Sequence, residues 1–149
     1  MLFYFDLERA ESLVVAHLTG DPTMLDHHRP GADAHRKLAS MFFKRPEEEI
    51  NSAQRYIMKQ TRHAGNYMEG WMVFQRNVNK LANETGVSIN AQEAKEFIGF
   101  YREVHPFLSK WWNKVNETIH TNDVFYNLLG RPRRIYDRYD AIVPSAVAL

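Results

Sequence analysis

Arg55, Lys59, His63 and Tyr67 recur at intervals of four. That spacing winds them along one side of a single helix. With Arg55 at zero and 100° per residue, Arg62, Arg55, Asn66, Lys59 and His63 fall in one sector of about 100°. Ala64, Ile57 and Thr61 lie opposite. The pattern predicts a helix from Ser52 to Tyr67, capped by Ser52, with one cationic face and one packing face. From Arg55 to Tyr67 the rise is roughly 18 Å, about the reach of an extended nucleoside triphosphate. Cations stand where phosphates would lie, and an aromatic where a base would. No carboxylate interleaves the stripe to form surface ion pairs. The competing reading is a solvated basic face.

With a net charge of only +1 over 149 residues, any anion site must come from local clustering. Cys is absent, which removes disulfides and thiolate metal sites and fits a reducing, cytoplasmic setting. The apolar fraction of 44% suits one globular domain. No apolar run approaches the ~20 residues of a membrane span. Leu2 to Phe5 is apolar but stops at Asp6, without the basic start of a signal peptide.

Along the chain, Leu2 to Phe5 reads as a buried strand closed by Asp6. Glu8 to Leu18 reads as a helix with Ala10, Leu13, Val14 and His17 on its stripe, and Gly20 as its stop. Pro22 starts a short helical segment after Asp21. Asp33 caps a helix over Ala34 to Phe43, with Leu38, Met41 and Phe42 inward. Pro46 to Glu49 reads as another short helix start. Gly70 to Leu81 is a further helix led by Trp71. Asn90 to Glu93 forms a capping box before Ala94 to Val104, whose stripe is Phe97, Ile98 and Tyr101. Pro106 opens Phe107 to His120. Trp71, Trp111 and Trp112 read as core. Val124 to Leu129 and Arg133 to Asp137 read as a β-hairpin around Gly130-Arg131-Pro132. The class is mainly α with minor β (α+β). The lone first strand needs partners for its backbone groups, a hint that they lie outside this chain.

Asp6, at a strand end, is either a seat for Mg²⁺ or a junction cap. Glu11 is a helix charge in apolar surroundings. His35 and Arg36, at a helix start, suit an anion or plain solvent. His17, His27, His28 and His35 match no zinc spacing. Arg131, Arg133 and Arg134 cluster at the hairpin, where arginine suits phosphate backbone contact.

These pieces occur in the order of a known family. The chain resembles the polymerase core of family A DNA polymerases, the bacterial DNA polymerase I group, and its phage-type members most closely. Asp6-Leu7-Glu8-Arg9-Ala10-Glu11 with Val14 to Leu18 is similar to motif A. Gly31-Ala32-Asp33-Ala34-His35-Arg36 is similar to the Gly-x-Asp-x-His-Arg stretch. The Arg55–Tyr67 ladder is similar to motif B of the fingers helix, and Gly130-Arg131 to the Gly-Arg of the following hairpin. The resemblance implies a palm segment with motif A over residues 1–20, helical fingers over 21–122, and a return to the palm over 123–149.

By the same resemblance, Asp6 and the Leu7 carbonyl would hold Mg²⁺, and Glu11 would be the gate against a ribose 2′-hydroxyl. Arg55, Lys59 and His35 would grip the triphosphate of a dNTP. Lys59 would also protonate the leaving pyrophosphate. His63 would stand beside the sugar, Tyr67 near the templating pair, and Arg131, Arg133 and Arg134 on primer–template DNA. Departures are Glu8-Arg9 for Ser-Gln, Arg62 for a small or apolar residue, His63 for Phe or Tyr, and Met68-Glu69 where Gly follows Tyr67. Motif C, His-Asp-Glu, has no counterpart, so one of two metal-fixing carboxylates is missing. The implied function is template-directed addition of dNMP to a primer 3′-hydroxyl, with the chain inactive alone as a fragment. Two alternatives are one chain of a split polymerase, with the C-terminal part separate, and a non-catalytic helical nucleic-acid-binding module. The setting would be cytoplasmic, in a bacterial host if phage-encoded.

Overall fold

The computed structural model describes residues 10–122, 124–126 and 130–134. The expected strand at Leu2 to Phe5, the residues Asp6 and Leu7, and the tail lie outside them. Eight α-helices stand among the described residues: α1 (Ala10–Thr19), α2 (Pro22–His27), α3 (Ala34–Phe43), α4 (Ser52–Asn66), α5 (Trp71–Lys80), α6 (Ala82–Thr85), α7 (Ala91–Val104) and α8 (Pro106–Thr121). A 3-10 turn, Glu47–Glu49, precedes α4. Strands β1 (Val124–Tyr126) and β2 (Pro132–Arg134) pair antiparallel, Phe125 opposite Arg133. The class is mainly α with minor β, as the patterning indicates.

Local chemistry sets the helix ends. Asp21 caps α2 through the Met24 amide at 2.9 Å, with Pro22 in the first turn where a missing N–H is harmless. Asn90 and Glu93 close a reciprocal capping box on α7. Gly20, at φ 65°, turns the chain out of α1. The cap of α4 is Asn51 rather than Ser52: Asn51 accepts from the Gln54 amide at 2.9 Å, and Gln54 accepts from the Asn51 amide at 3.1 Å. The box begins one residue earlier because Gln54 stands three residues after Asn51.

Helix α4 is the central element, packed against α1, α3, α5 and α7. Its buried Ile57, Met58 and Ala64 join Leu38 of α3, Phe74 of α5 and Tyr101 of α7 in one core. Each large apolar side chain so buried stabilises by about 1.5–3 kcal/mol. Gly65 permits a close approach of α7, since a Cβ there would overlap the edge of the Tyr101 ring. Trp112 is buried, and Trp111 and Trp71 pack partly buried against the same core.

Three expected faces are corrected. In α1 the buried residues are Val15 and Ala16, whereas Leu13 and Val14 are exposed. The run Leu13 to Ala16 is apolar all round, so periodicity could not choose a side. In α3, Ala34, Leu38 and Ala39 face inward, Phe42 is half-buried and Met41 is exposed. Ala39 is fully buried, and Met41, about 200° further round the helix, faces outward. In α4 itself Arg62 and Asn66 leave the cationic face and are buried at 1% and 3% exposure. The buried arc of α4 is wide because helices cover it on several sides. The segment after α5 also differs: α5 stops at Lys80, and the unforeseen α6 follows, closed by Gly86 at φ 68°.

Candidate functional site

The ladder side chains meet groups from two other helices. Near the start of α4, the Arg55 Nε donates to Asp33 Oδ2 at 2.7 Å. Asp33 Oδ1 meanwhile accepts from the amides of His35 and Arg36 at 3.0 and 3.1 Å, capping α3. Burial alone would raise the Asp33 pKa, but the Arg55 and backbone donors outweigh it and hold the carboxyl below its usual range. One turn on, Lys59 is exposed and has no hydrogen bond or ion pair among the described residues. Further along, His63 Nδ1 lies 4.0 Å from the Glu11 carboxylate of α1, and its ring centroid is 5.0 Å from that of Tyr67. Tyr67 is raised in pKa, first by burial and then by the Glu11 charge. Glu11, His63 and Tyr67 therefore form one group, and Asp33, His35 and Arg55 another, with Lys59 between.

His35 differs from the cation that a triphosphate grip suggests. Burial, then the Arg62 and Arg55 charges, lower its pKa to about 4. Near neutral pH it is an uncharged imidazole that offers one N–H. Its Nδ1 is enclosed and has no partner among the described residues. Arg36, read as a second phosphate donor, instead donates to the Glu47 and Ile50 carbonyls at 3.1 and 2.8 Å. It holds the connection into α4.

Behind the face lies a buried polar network that the sequence did not announce. Arg62 Nη2 donates to the Ala34 carbonyl at 2.8 Å and lies 3.0 Å from His27 Nδ1, while Nη1 is 3.3 Å from His28 Nε2. A guanidinium only donates, so both imidazoles present lone pairs to it. The Asp21 carboxylate lies 3.3 Å from His105 Nδ1, and its charge and that of Arg62 both act on that imidazole. Burial and then the Arg62 charge push His27 down to about 3. Burial also pushes His105 down to about 4, against the pull of Asp21. Asn66 accepts from the Tyr101 hydroxyl at 2.7 Å and donates to Ser12 at 3.1 Å. Only the departure at position 62 signalled any of this.

At the hairpin Arg131 and Arg134 are exposed, and only the backbone of Arg133 is described. Among the described residues no group of three or more His, Asp or Glu is placed to hold a metal ion. Glu11, the first carboxylate along the described residues, faces His63 and Tyr67.

A model of DNA polymerase family A matches residues 1–141. The chain belongs to DNA polymerase family A. Thermostable DNA polymerase I of Thermus aquaticus is 28% identical over 137 residues, 92% of this chain and 15% of that protein. The DNA polymerase of Bacillus phage SP01 is 25% identical over 137 residues, 92% of this chain and 14% of that one. The chain thus spans about 15% of the length of these family A relatives. Among solved structures, the fold is similar to the POL domain of Pol1 from M. smegmatis, in complex with DNA primer-template and dNTP. The TM-score is 0.74 at 19% identity, covering 96% of this chain and 25% of that one. Among the described residues no helix is long and apolar enough to cross a membrane.

Proposed function

We propose that this chain is the nucleotide-selecting part of a DNA-directed DNA polymerase, with residues 1–20 and 123–149 in the palm and 21–122 forming the fingers. The observation that carries this reading is the division of α4 into two ends. Arg55, Lys59 and His35 offer charge and an N–H to phosphates at one end. Glu11, His63 and Tyr67 gather at the other, where a sugar and base would lie. In the parent reaction a primer 3′-hydroxyl gives up its proton to solvent, its oxygen bonds to the α-phosphorus of a dNTP, and the bond from that phosphorus to the α,β-bridging oxygen breaks. Lys59 hands a proton to the leaving pyrophosphate. Arg55 and His35 hold the β- and γ-phosphates, which is positioning and charge stabilisation rather than covalent chemistry. Glu11 stands where a 2′-hydroxyl would project, and Tyr67 beside the templating pair. Arg131, Arg133 and Arg134 contact the primer–template backbone.

Asp6 and the Leu7 carbonyl are the proposed ligands of Mg²⁺, which when bound would neutralise phosphate charge. The 149 residues carry no His-Asp-Glu stretch to supply the second carboxylate of a two-ion site, so the chain alone is expected to bind nucleotide without extending primers. The cellular setting proposed is the cytoplasm.

The test is binding of a fluorescent dATP analogue to the 149-residue chain, beside a primer-extension assay. The expected result is saturable binding that Lys59→Ala weakens about tenfold, the scale of one charge-assisted contact. Glu11→Ala should erase any preference for dATP over ATP. Binding indifferent to Lys59→Ala would remove the proposed site, and templated extension by the chain alone would overturn the expected inactivity.

A further inference from the structure

We propose that Asp33 is a positioning residue that presets the triphosphate grip by fixing Arg55 relative to the first turn of α3. The proposal rests on the nucleotide site described above and deepens it. One carboxylate has two separate tasks. Its Oδ1 caps α3 through the His35 and Arg36 amides, at 3.0 and 3.1 Å. That bond orients the turn that carries His35. Its Oδ2 takes the Arg55 Nε at 2.7 Å. Holding a guanidinium from the Nε side leaves its two terminal nitrogens, and no other hydrogen bond to the Arg55 side chain is found among the described residues. The fork is therefore directed while its phosphate-binding edge stays open.

A second contact makes the arrangement stiff. Two helical turns along α4, Arg62 donates to the Ala34 carbonyl at 2.8 Å. The start of α3 is thus pinned to α4 at residue 33 by a side chain and at residue 34 by its backbone. An unrestrained arginine would give up rotamer freedom on binding phosphate, and Asp33 removes much of that loss beforehand.

Charge alone predicts the reverse of positioning. Asp33 is an anion beside an anion site, so removing its charge should strengthen triphosphate binding if only electrostatics mattered. Asp33→Asn keeps the helix cap, since Asn caps as well as Asp. It weakens the hold on Arg55. With the full chain and the fluorescent dATP analogue, Asp33→Asn is expected to raise Kd about five- to tenfold while the melting temperature stays within about 2 °C. Arg55→Gln should weaken binding too, and the Asp33→Asn/Arg55→Gln double variant should bind like Arg55→Gln alone, because Asp33 acts through Arg55. Tighter or unchanged binding by Asp33→Asn overturns the proposal, as does a double variant weaker than Arg55→Gln. No binding by the unsubstituted chain would instead sink the nucleotide site itself, and this inference with it.

Discussion

Arg62 shows how one side chain can reverse an expectation. By helical angle it belongs with Arg55 and Lys59, yet it is 1% exposed, and its terminal nitrogens meet Ala34, His27 and His28. A buried charge of this kind is tolerated when its donors find acceptors. Replacing it by Met leaves the buried Ala34 carbonyl and the histidine lone pairs without these donors. Arg62→Met should cost about 3 kcal/mol, read as a lower urea midpoint at unchanged slope. Met68 points the other way. It sits at φ 54° just past the α4 cap Tyr67, and its amide bonds to Gly65 while that of Glu69 bonds to Ala64 at 2.9 Å. This is the two-bond helix stop that glycine normally supplies. Met there bears left-handed strain of roughly 1–2 kcal/mol, partly offset in a glycine by its larger unfolded-state entropy. Met68→Gly is expected to stabilise by about 0.5–1 kcal/mol in the same titration.

Among the elements, α4 and α7 are joined by the most exacting fit. Gly65 leaves room for the Tyr101 ring, and the Tyr101 hydroxyl reaches Asn66 at 2.7 Å. Gly65→Ala forces that buried ring and its hydrogen bond to move, and should cost about 2–3 kcal/mol by calorimetry, at the upper end of overpacking. Tyr101→Phe keeps the ring and should cost nearer 1 kcal/mol. Helix positions were legible because caps are local chemistry: Asp33, Asn90, Gly20 and Pro106 each act within a turn of the chain. Faces were less legible. Leu13 and Val14 read like core because α1 is apolar all round, and which side is covered depends on elements distant in sequence. The ladder was legible by interval and His35 by its place at a helix start, whereas the role given to Glu11 came from the family resemblance. The bond from Asp33 to Arg55 spans 22 residues and left no mark in the spacing. The same holds for Arg62 and its histidines, since a charge gives no periodic sign that it is buried.

Taken whole, the molecule keeps three histidines, His27, His35 and His105, uncharged in its interior or beside its cations. Their folded pKa values, about 3, 4 and 4, lie below the ordinary 6.5. Above pH 6.5 both folded and unfolded chains leave them neutral, so stability is full. As the pH falls below 6.5 the unfolded chain takes up protons that the fold refuses, and stability drops until about pH 3–4. Melting temperatures should hold level between pH 7.5 and 6.5 and then decline steadily to pH 4.5, each group contributing at most about 1.4 kcal/mol per pH unit. His27→Asn, which retains an acceptor for Arg62, should flatten the decline; an equally steep profile would exclude His27 as a source.

The glycine under Tyr101 has a consequence for movement. With no slack between α4 and α7, and with α3 bolted to α4 at residues 33 and 34, the three helices form a lever rather than a spring. A push on the phosphate end of α4 would be transmitted to α7 instead of being absorbed. Bending would then concentrate in the connections, such as the stretch from Met68 to Gly70.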